Sequence, residues 1–442
     1  MTPTLIIAIV LFAVTYILLF ALPKYKPYIA LCSAVIFSVW LAINKEVEFT
    51  FSTFINAIDF NVLMMITGTM GIVSFFIESK MPMRIADVML SKFKNVKMAI
   101  VAMAVFAGVV SAFMDNVATV LIVAPIAFAV CKKQNISPIA PIICIAVSSN
   151  LQGAATLVGD TTSILLAGQL KMTFTDFFWY QGRPGMFFAV ELGAALTVLL
   201  LLIIFRKEKQ PLTLMGETKV TDYFPSILLL IVVAMLIGAS FIPEPTNPVA
   251  KGFFDHRNGI ICMGLLLVGV IYNICKNKNL DGTKNMLKEM DYETLLLLAS
   301  LFIVVGCIDT AGVIDKLAEG LAKVGGSNLF LMYTIIVFAS VAVSAFVDNI
   351  PYVMTMLPVV AGVASSMGVD PTVLYFGLLV GATLGGNITP VGASANITGI
   401  GMLRKEGYEV KAKDFMKISV PFTLTAVLSG YAFIWLCYGI NW

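Results

Sequence analysis

The chain has 442 residues, of which 59% are A, V, I, L, M, F, W, Y or C and only 12% are Asp, Glu, Lys or Arg, against about 25% charged residues in soluble domains. With 29 basic and 26 acidic residues and a mean hydropathy of +0.94, it cannot cover a water-soluble surface, and its repeated apolar stretches suit a hydrocarbon core about 30 Å thick. That excludes a soluble enzyme, and the scatter of the basic residues over short loops excludes nucleic-acid binding.

The first apolar run, 3–21, has no positive segment before it and no small-residue cleavage site after it. Lys24 and Lys26 follow it, so it reads as a retained helix and not as a signal peptide. Spans at 27–43 and 60–78 come next. From 97 the chain is apolar as far as Asp115-Asn116, then apolar again to Cys131, before Lys132 and Lys133. One Asp-Asn is a poor loop to carry across a bilayer and a good tip to bury at its midplane, so 97–131 is predicted to be a re-entrant hairpin. The stretch 138–170, broken between Gly153 and Ser163, reads as one span unwound at its centre. Further spans are predicted at 184–205, 224–243, 258–275 and 293–312. A second hairpin (328–366), a second broken helix (372–404) and a last span (415–438) complete the chain.

The second half repeats the first at an offset of 233. Ser111-Ala112-Phe113-Met114-Asp115-Asn116 becomes Ser344-Ala345-Phe346-Val347-Asp348-Asn349, Pro125 becomes Pro358, and seven of the 15 positions between 111 and 125 are identical. The same offset carries Leu151, Gly153, Thr156, Val158, Gly159 and Ile164 onto Leu384, Gly386, Thr389, Val391, Gly392 and Ile397. The expected fold is an all-α polytopic membrane protein of two repeats, each with five crossings, one of them unwound at midplane, and a hairpin. An odd number of crossings inverts the second copy. The expected boundaries are repeat 1 at 1–205, a cytoplasmic linker at 206–223 and repeat 2 at 224–442. With both termini outside a cell (inner) membrane, the inner loops hold 22 of the 29 Lys and Arg, among them Arg84, Lys92, Lys94, Lys97, Arg206, Lys207, Lys209, Arg404 and Lys405.

Hairpin tips and unwound helices at midplane present backbone N–H groups to anions and carbonyls to cations. The side chains favour cations, because Asp115, Asp160, Asp348 and Glu191 are embedded acids with no Lys or Arg expected at their depth. Such carboxylates take up protons or bind a hard cation, and Na+ is expected at Asp115, Asn116, Asp348 and Asn349. Thr119, Thr161, Thr162, Ser163, Thr389, Ser394 and Asn396 add neutral oxygens, and Gly159 and Gly392 let carbonyls turn inward. The competing reading is that the Asp-Asn pairs and Asp160 are helix caps. Gly377, Gly381 and Gly385 fit close helix packing. The seven cysteines read as small packing residues, and His256 as a solvated loop residue. No cofactor is expected beyond H+ or Na+ as coupling ion.

The segment 111–121, Thr156-Leu157-Val158-Gly159-Asp160, Asp348-Asn349-Ile350-Pro351-Tyr352, Gly385-Gly386-Asn387 and Gly392-Ala393-Ser394-Ala395-Asn396 resemble the ArsB/NhaD permeases of the ion transporter superfamily. The citrate-transporter-like and P protein-like branch is the most similar. The resemblance implies inverted repeats, an elevator-type homodimer, and ion and substrate sites at both hairpin tips with 159–163 and 392–396. The chain departs from the branch at Thr161-Thr162-Ser163, where relatives carry Pro-Pro-Asn, and its Asp-Asn tips replace the Ser-Asn-Thr of the carboxylate carriers.

The expected function is a secondary active transporter coupling H+ or Na+ to a small inorganic or organic ion, an anion or oxyacid of the arsenite or carboxylate kind. The alternative is a Na+/H+ antiporter. A channel suits inverted repeats less well than alternation does. An intramembrane aspartyl protease requires Gly-x-Gly-Asp, and Leu157 stands where the first Gly should be.

Overall fold

The computed structural model describes residues 3–43, 51–208, 210–212, 218–326 and 328–440. Lys209 and the centre of the expected linker, 213–217, lie outside the described residues. The chain opens with α1 (Pro3–Ala21), α2 (Lys26–Ile43), α3 (Phe51–Asn56), α4 (Phe60–Glu78) and α5 (Met81–Leu90). Then come α6 (Val96–Ser111), α7 (Asn116–Gln134), α8 (Ile139–Gly153) and α9 (Thr161–Leu170). A small antiparallel hairpin of β1 (Trp179–Tyr180) and β2 (Arg183–Pro184) leads into α10 (Met186–Ile204). The rest is α11 (Phe224–Ala239), α12 (Pro248–Asp255), α13 (Arg257–Asn277), α14 (Asp281–Glu289), α15 (Tyr292–Thr310), α16 (Val313–Gly325), α17 (Leu329–Ser344), α18 (Asn349–Met367), α19 (Thr372–Gly385), α20 (Ser394–Lys405) and α21 (Ala412–Ile434). Among the described residues nine helices are long and apolar enough to cross a membrane, or ten if α16 and α17, bent by 119° at their junction, form one span.

Side chains set the starts of these helices. Asp59 Oδ1 accepts from Val62 N at 3.0 Å ahead of α4, and Asp291 Oδ1 from Thr294 N at 2.9 Å ahead of α15. Asn95 and Asn328, 233 residues apart, cap α6 and α17 by accepting from Met98 N and Leu331 N at 2.9 and 3.0 Å. α7 ends on Asn135 and α18 on Gly368, again 233 apart, both left-handed with φ of 54° and 65°. α6 and α7 therefore map onto α17 and α18 with equal lengths, α8 and α9 start 233 residues before α19 and α20, and α5 and α16 take matching places ahead of the hairpins.

Two groups of helices divide the packing. In the first, α2 lies along α15, α4 along α13, and α11 against both α4 and α13. α4 and α15 run in opposite directions: Ser74, near the end of α4, bonds Glu289 just before α15, while Ala57, ahead of α4, packs on Gly306 near the end of α15. In the second group α6 packs on α8, α17 on α19, α10 on α21, and α20 on α7 and α8. Gly381 and Gly385 of α19 bring its backbone against α17, where a Cβ at Gly385 would meet Val341 Cα at 2.6 Å.

Candidate functional site

The tip of the first hairpin is the turn from α6 into α7. Asp115 caps α7, its Oδ2 accepting from Val117 N at 2.9 Å and Ala118 N at 3.1 Å. The next residue, Asn116, is buried and donates to Asn150 Oδ1 at 2.9 Å, and Asn150 in turn donates to the Thr383 carbonyl at 2.7 Å. Ser149 Oγ donates to the Asn116 carbonyl at 2.9 Å. Thr119, fully buried, bonds back to the Asp115 carbonyl at 3.0 Å. Asn150 and Ser149 thus hold the tip to α8, and they carry no sequence signal beyond being polar residues in an apolar run.

The second tip is built alike but has a partner the sequence did not disclose. Asp348 caps α18 through Ile350 N at 3.2 Å, and its other oxygen, Oδ2, lies 2.8 Å from Lys26 Nζ, with the two side chains 10% and 16% exposed. The expectation that no Lys or Arg lies at the depth of the embedded acids is therefore corrected. Lys26 reads as a loop charge between two spans, yet folding carries it to a tip 322 residues away. Tyr16 adds to this contact, donating to the Pro351 carbonyl at 2.9 Å and bonding Thr355 Oγ1. Asn349 is buried beside the cap.

Both broken helices are open where expected, between Gly153 and Thr161 and between Ile388 and Ser394. Thr156 Oγ1 donates to the Ala112 carbonyl and Thr389 Oγ1 to the Ala345 carbonyl, so each unwound segment is clipped to its hairpin arm. Thr389 is thus engaged in a structural bond, and its mate Thr156 joins it in a role that spacing alone did not single out. Gly159 and Gly392 sit against the same arms: a Cβ would approach Ser111 O at 2.8 Å or Ser344 O at 2.7 Å. Asp160 precedes α9 without capping it through a backbone N–H; its carboxylate accepts from Thr162 Oγ1 at 3.0 Å, and Thr162 also lies 2.8 Å from Thr383 Oγ1. Ser163 Oγ donates to the Gly153 carbonyl at 3.4 Å. Asn396 Nδ2 donates to the Gly386 and Thr389 carbonyls at 3.1 Å each, while Ser394 starts α20 half-buried. The amide oxygens of Asn396 and Asn387 are buried without a hydrogen-bond partner, which leaves two acceptors for a cation or a water in the second unwound segment.

A cavity of about 500 Å³ brings only four of the expected site residues together. Asp115, Gly159, Asp160 and Thr161 lie in its wall, with Thr69 and Ser74 of α4 and, where α14 gives way to α15, Glu289 and Asp291. Four carboxylates lining one space attract cations, and they favour an anion that enters protonated or paired with a cation. Asn116, Thr119, Thr162, Ser163, Asp348, Asn349, Thr389, Gly392, Ser394 and Asn396 are not in the lining. Glu191 is on α10, half-exposed and away from the cavity.

The family profile described as "Citrate transporter" (CitMHS) matches residues 16–381. An uncharacterised transporter of Mycobacterium tuberculosis is 28% identical over 438 residues, covering 98% of this chain and 99% of the relative. The human P protein is 22% identical over 85% of this chain and 53% of its own length. Among solved structures, the YdaH transporter of Alcanivorax borkumensis superposes with a TM-score of 0.63 at 14% identity, covering 96% of this chain and 98% of its own. MtrF of Neisseria gonorrhoeae gives 0.56 at 14% identity, covering 88% and 83%. At such identities these two speak for the fold alone.

Proposed function

Since the chain belongs to the citrate transporter family and is a multi-pass membrane transporter, we propose that it is a secondary active carrier coupling H+ or Na+ to a small anion or oxyacid of the arsenite or carboxylate kind. It works by alternating access between two inverted repeats, as an elevator-type homodimer in the cell membrane with both termini outside. The observation that carries this reading is the cavity that ends on Asp115 and Asp160, where a hairpin tip and an unwound helix meet. Glu289 and Asp291 are exposed in the cavity lining and fall on the cytoplasmic side by the charge count, which supports reading the state as inward-open.

In this reading Asp115 and Asp160 bind the coupling cation or proton with Asn116, Thr119, Gly159, Thr161, Thr162 and Ser163 around them. Asp348, Asn349, Thr389, Gly392, Ser394 and Asn396 form the matching half-site. The four acids of the cavity wall favour a second reading, a Na+/H+ antiporter.

Purified protein in liposomes loaded with a pH-sensitive dye separates the two. Proton movement driven by a Na+ or Li+ gradient alone establishes the antiporter. Silence with Na+ and proton movement on adding arsenite, citrate or succinate establishes coupled oxyacid transport; silence with every addition, together with no Na+-driven uptake of any of the three, overturns both.

A further inference from the structure

The two hairpin tips are alike in sequence and unlike in surroundings. Asp115 faces the cavity and accepts two backbone N–H bonds, whereas Asp348 accepts one and gives its second oxygen to Lys26. The repeat counterpart of Lys26 at the offset of 233 is Gly259, so the ammonium exists in one half only. A partly buried ion pair is a poor source of stability, because each ion loses hydration to form it. Its position is more telling. Lys26 starts α2, which packs along α15 in the first helix group, and Asp348 sits between α17 and α18, which pack with α19 in the second. The pair, with the Tyr16 bond to Pro351 beside it, ties one group to the other.

The contact also marks a level. Ser38 lies beside Cys307, so Lys26, twelve residues before Ser38 and thus about 18 Å along α2, lies toward the end at which α15 begins. That is the end at which Asp291 lines the cavity.

We infer that Lys26 is a tethered cation that occupies Asp348 in the inward-open state, taking the place of the coupling cation that has left for the cytoplasm. The proposal rests on the reading of the protein as a cation- or proton-coupled carrier. Binding of Na+ or a proton to Asp348 and binding of Lys26 are then mutually exclusive. Na+ must displace the ammonium to load the second half-site, and the ammonium neutralises Asp348 when the carrier moves empty.

Competition predicts opposite shifts from two variants, measured as the external Na+ concentration giving half-maximal net 22Na+ uptake into liposomes, with citrate inside and outside. Lys26→Gln removes the competitor and lowers half-saturation about tenfold, while slowing net movement more than 22Na+/Na+ exchange, which needs no empty return. Lys26→Arg keeps the charge, spares the fold a stranded carboxylate, and grips Asp348 through a two-pronged guanidinium, so half-saturation rises several-fold. A merely structural Lys26 shifts both variants in the same direction, or loses exchange and net movement together, and either result overturns the assignment. Half-saturation unchanged in both variants overturns it as well. Wild-type protein that moves neither Na+ nor protons under any gradient overturns the coupled-carrier reading and this proposal with it, whereas coupled wild type with unshifted variants overturns the role of Lys26 alone.

Discussion

A carboxylate at a helix start is an ordinary cap in water, and Asp115 does cap α7 through two backbone N–H groups. Asparagine caps a helix about as well, so Asp115→Asn separates the cap from the charge. It is expected to fold with a stability change of about 1 kcal/mol or less, and to lower coupled flux by about 100-fold. Asp348→Asn is expected to lose flux equally but to be less stable, by up to about 3 kcal/mol, because it strands the partly buried Lys26 ammonium. Dye flux in liposomes together with thermal unfolding of the purified variants measures both, and near-normal coupled flux in the two variants rejects the site. The acids themselves are legible in the sequence because an ionisable residue inside an apolar run is conspicuous. Lys26 is not, because a lysine just past a span is what any interfacial loop carries, and the partner that gives it meaning is 322 residues away.

At the scale of elements, the clip between each hairpin arm and its unwound helix is the unit that repeats. Thr156 and Thr389 bond the arm carbonyls, and Gly159 and Gly392 let the backbones approach to a distance that leaves no room for a methyl group. Gly159→Ala and Gly392→Ala are each expected to cost about 1–3 kcal/mol by forcing the arm away, seen as a lowered unfolding midpoint in detergent and a lower yield of folded protein. Gly401, which a Cβ would leave in open space, is the control, and its alanine variant is expected to melt within about 0.5 kcal/mol of wild type. The long elements follow from apolar length: 60–78 is α4, and the 97–131 and 328–366 stretches resolve into α6–α7 and α17–α18. α5 and α16 escape that test. With 10 and 13 residues they are too short to span, and α16 buries Val313, Ile314 and Ala318 while Lys316, Glu319 and Lys323 face outward, so its signal is one-sided periodicity and not an apolar run.

At the scale of the whole molecule, the two hairpin tips differ in their surroundings. If the halves were related by symmetry alone, both tips would meet the same surroundings; instead Asp115 opens to a cavity and Asp348 is closed by Lys26. Under the proposed alternating access, a carrier opens its site to one side of the membrane at a time. The cavity should then be reachable from one side only. Thr69 tests this, because it lines the cavity and, among the described residues, its hydroxyl bonds only its own helix, to the Met65 and Ile66 carbonyls, so a cysteine there breaks no bond between helices. With the exposed Cys32 and Cys275 changed to serine, Thr69→Cys is expected to react with a membrane-impermeant maleimide about tenfold faster in inside-out than in right-side-out vesicles. Trp179→Cys, on the exposed β-hairpin ahead of α10, is expected to show the reverse preference. Saturating Na+ should slow labelling at Thr69 by filling the cavity or by shifting the carrier outward, and leave Trp179→Cys unchanged. Equal labelling of Thr69→Cys from both sides, unaffected by Na+, would mean a continuous water path and hence a channel. Faster labelling from outside, with Trp179→Cys also inverted, would reverse the assigned orientation of the chain.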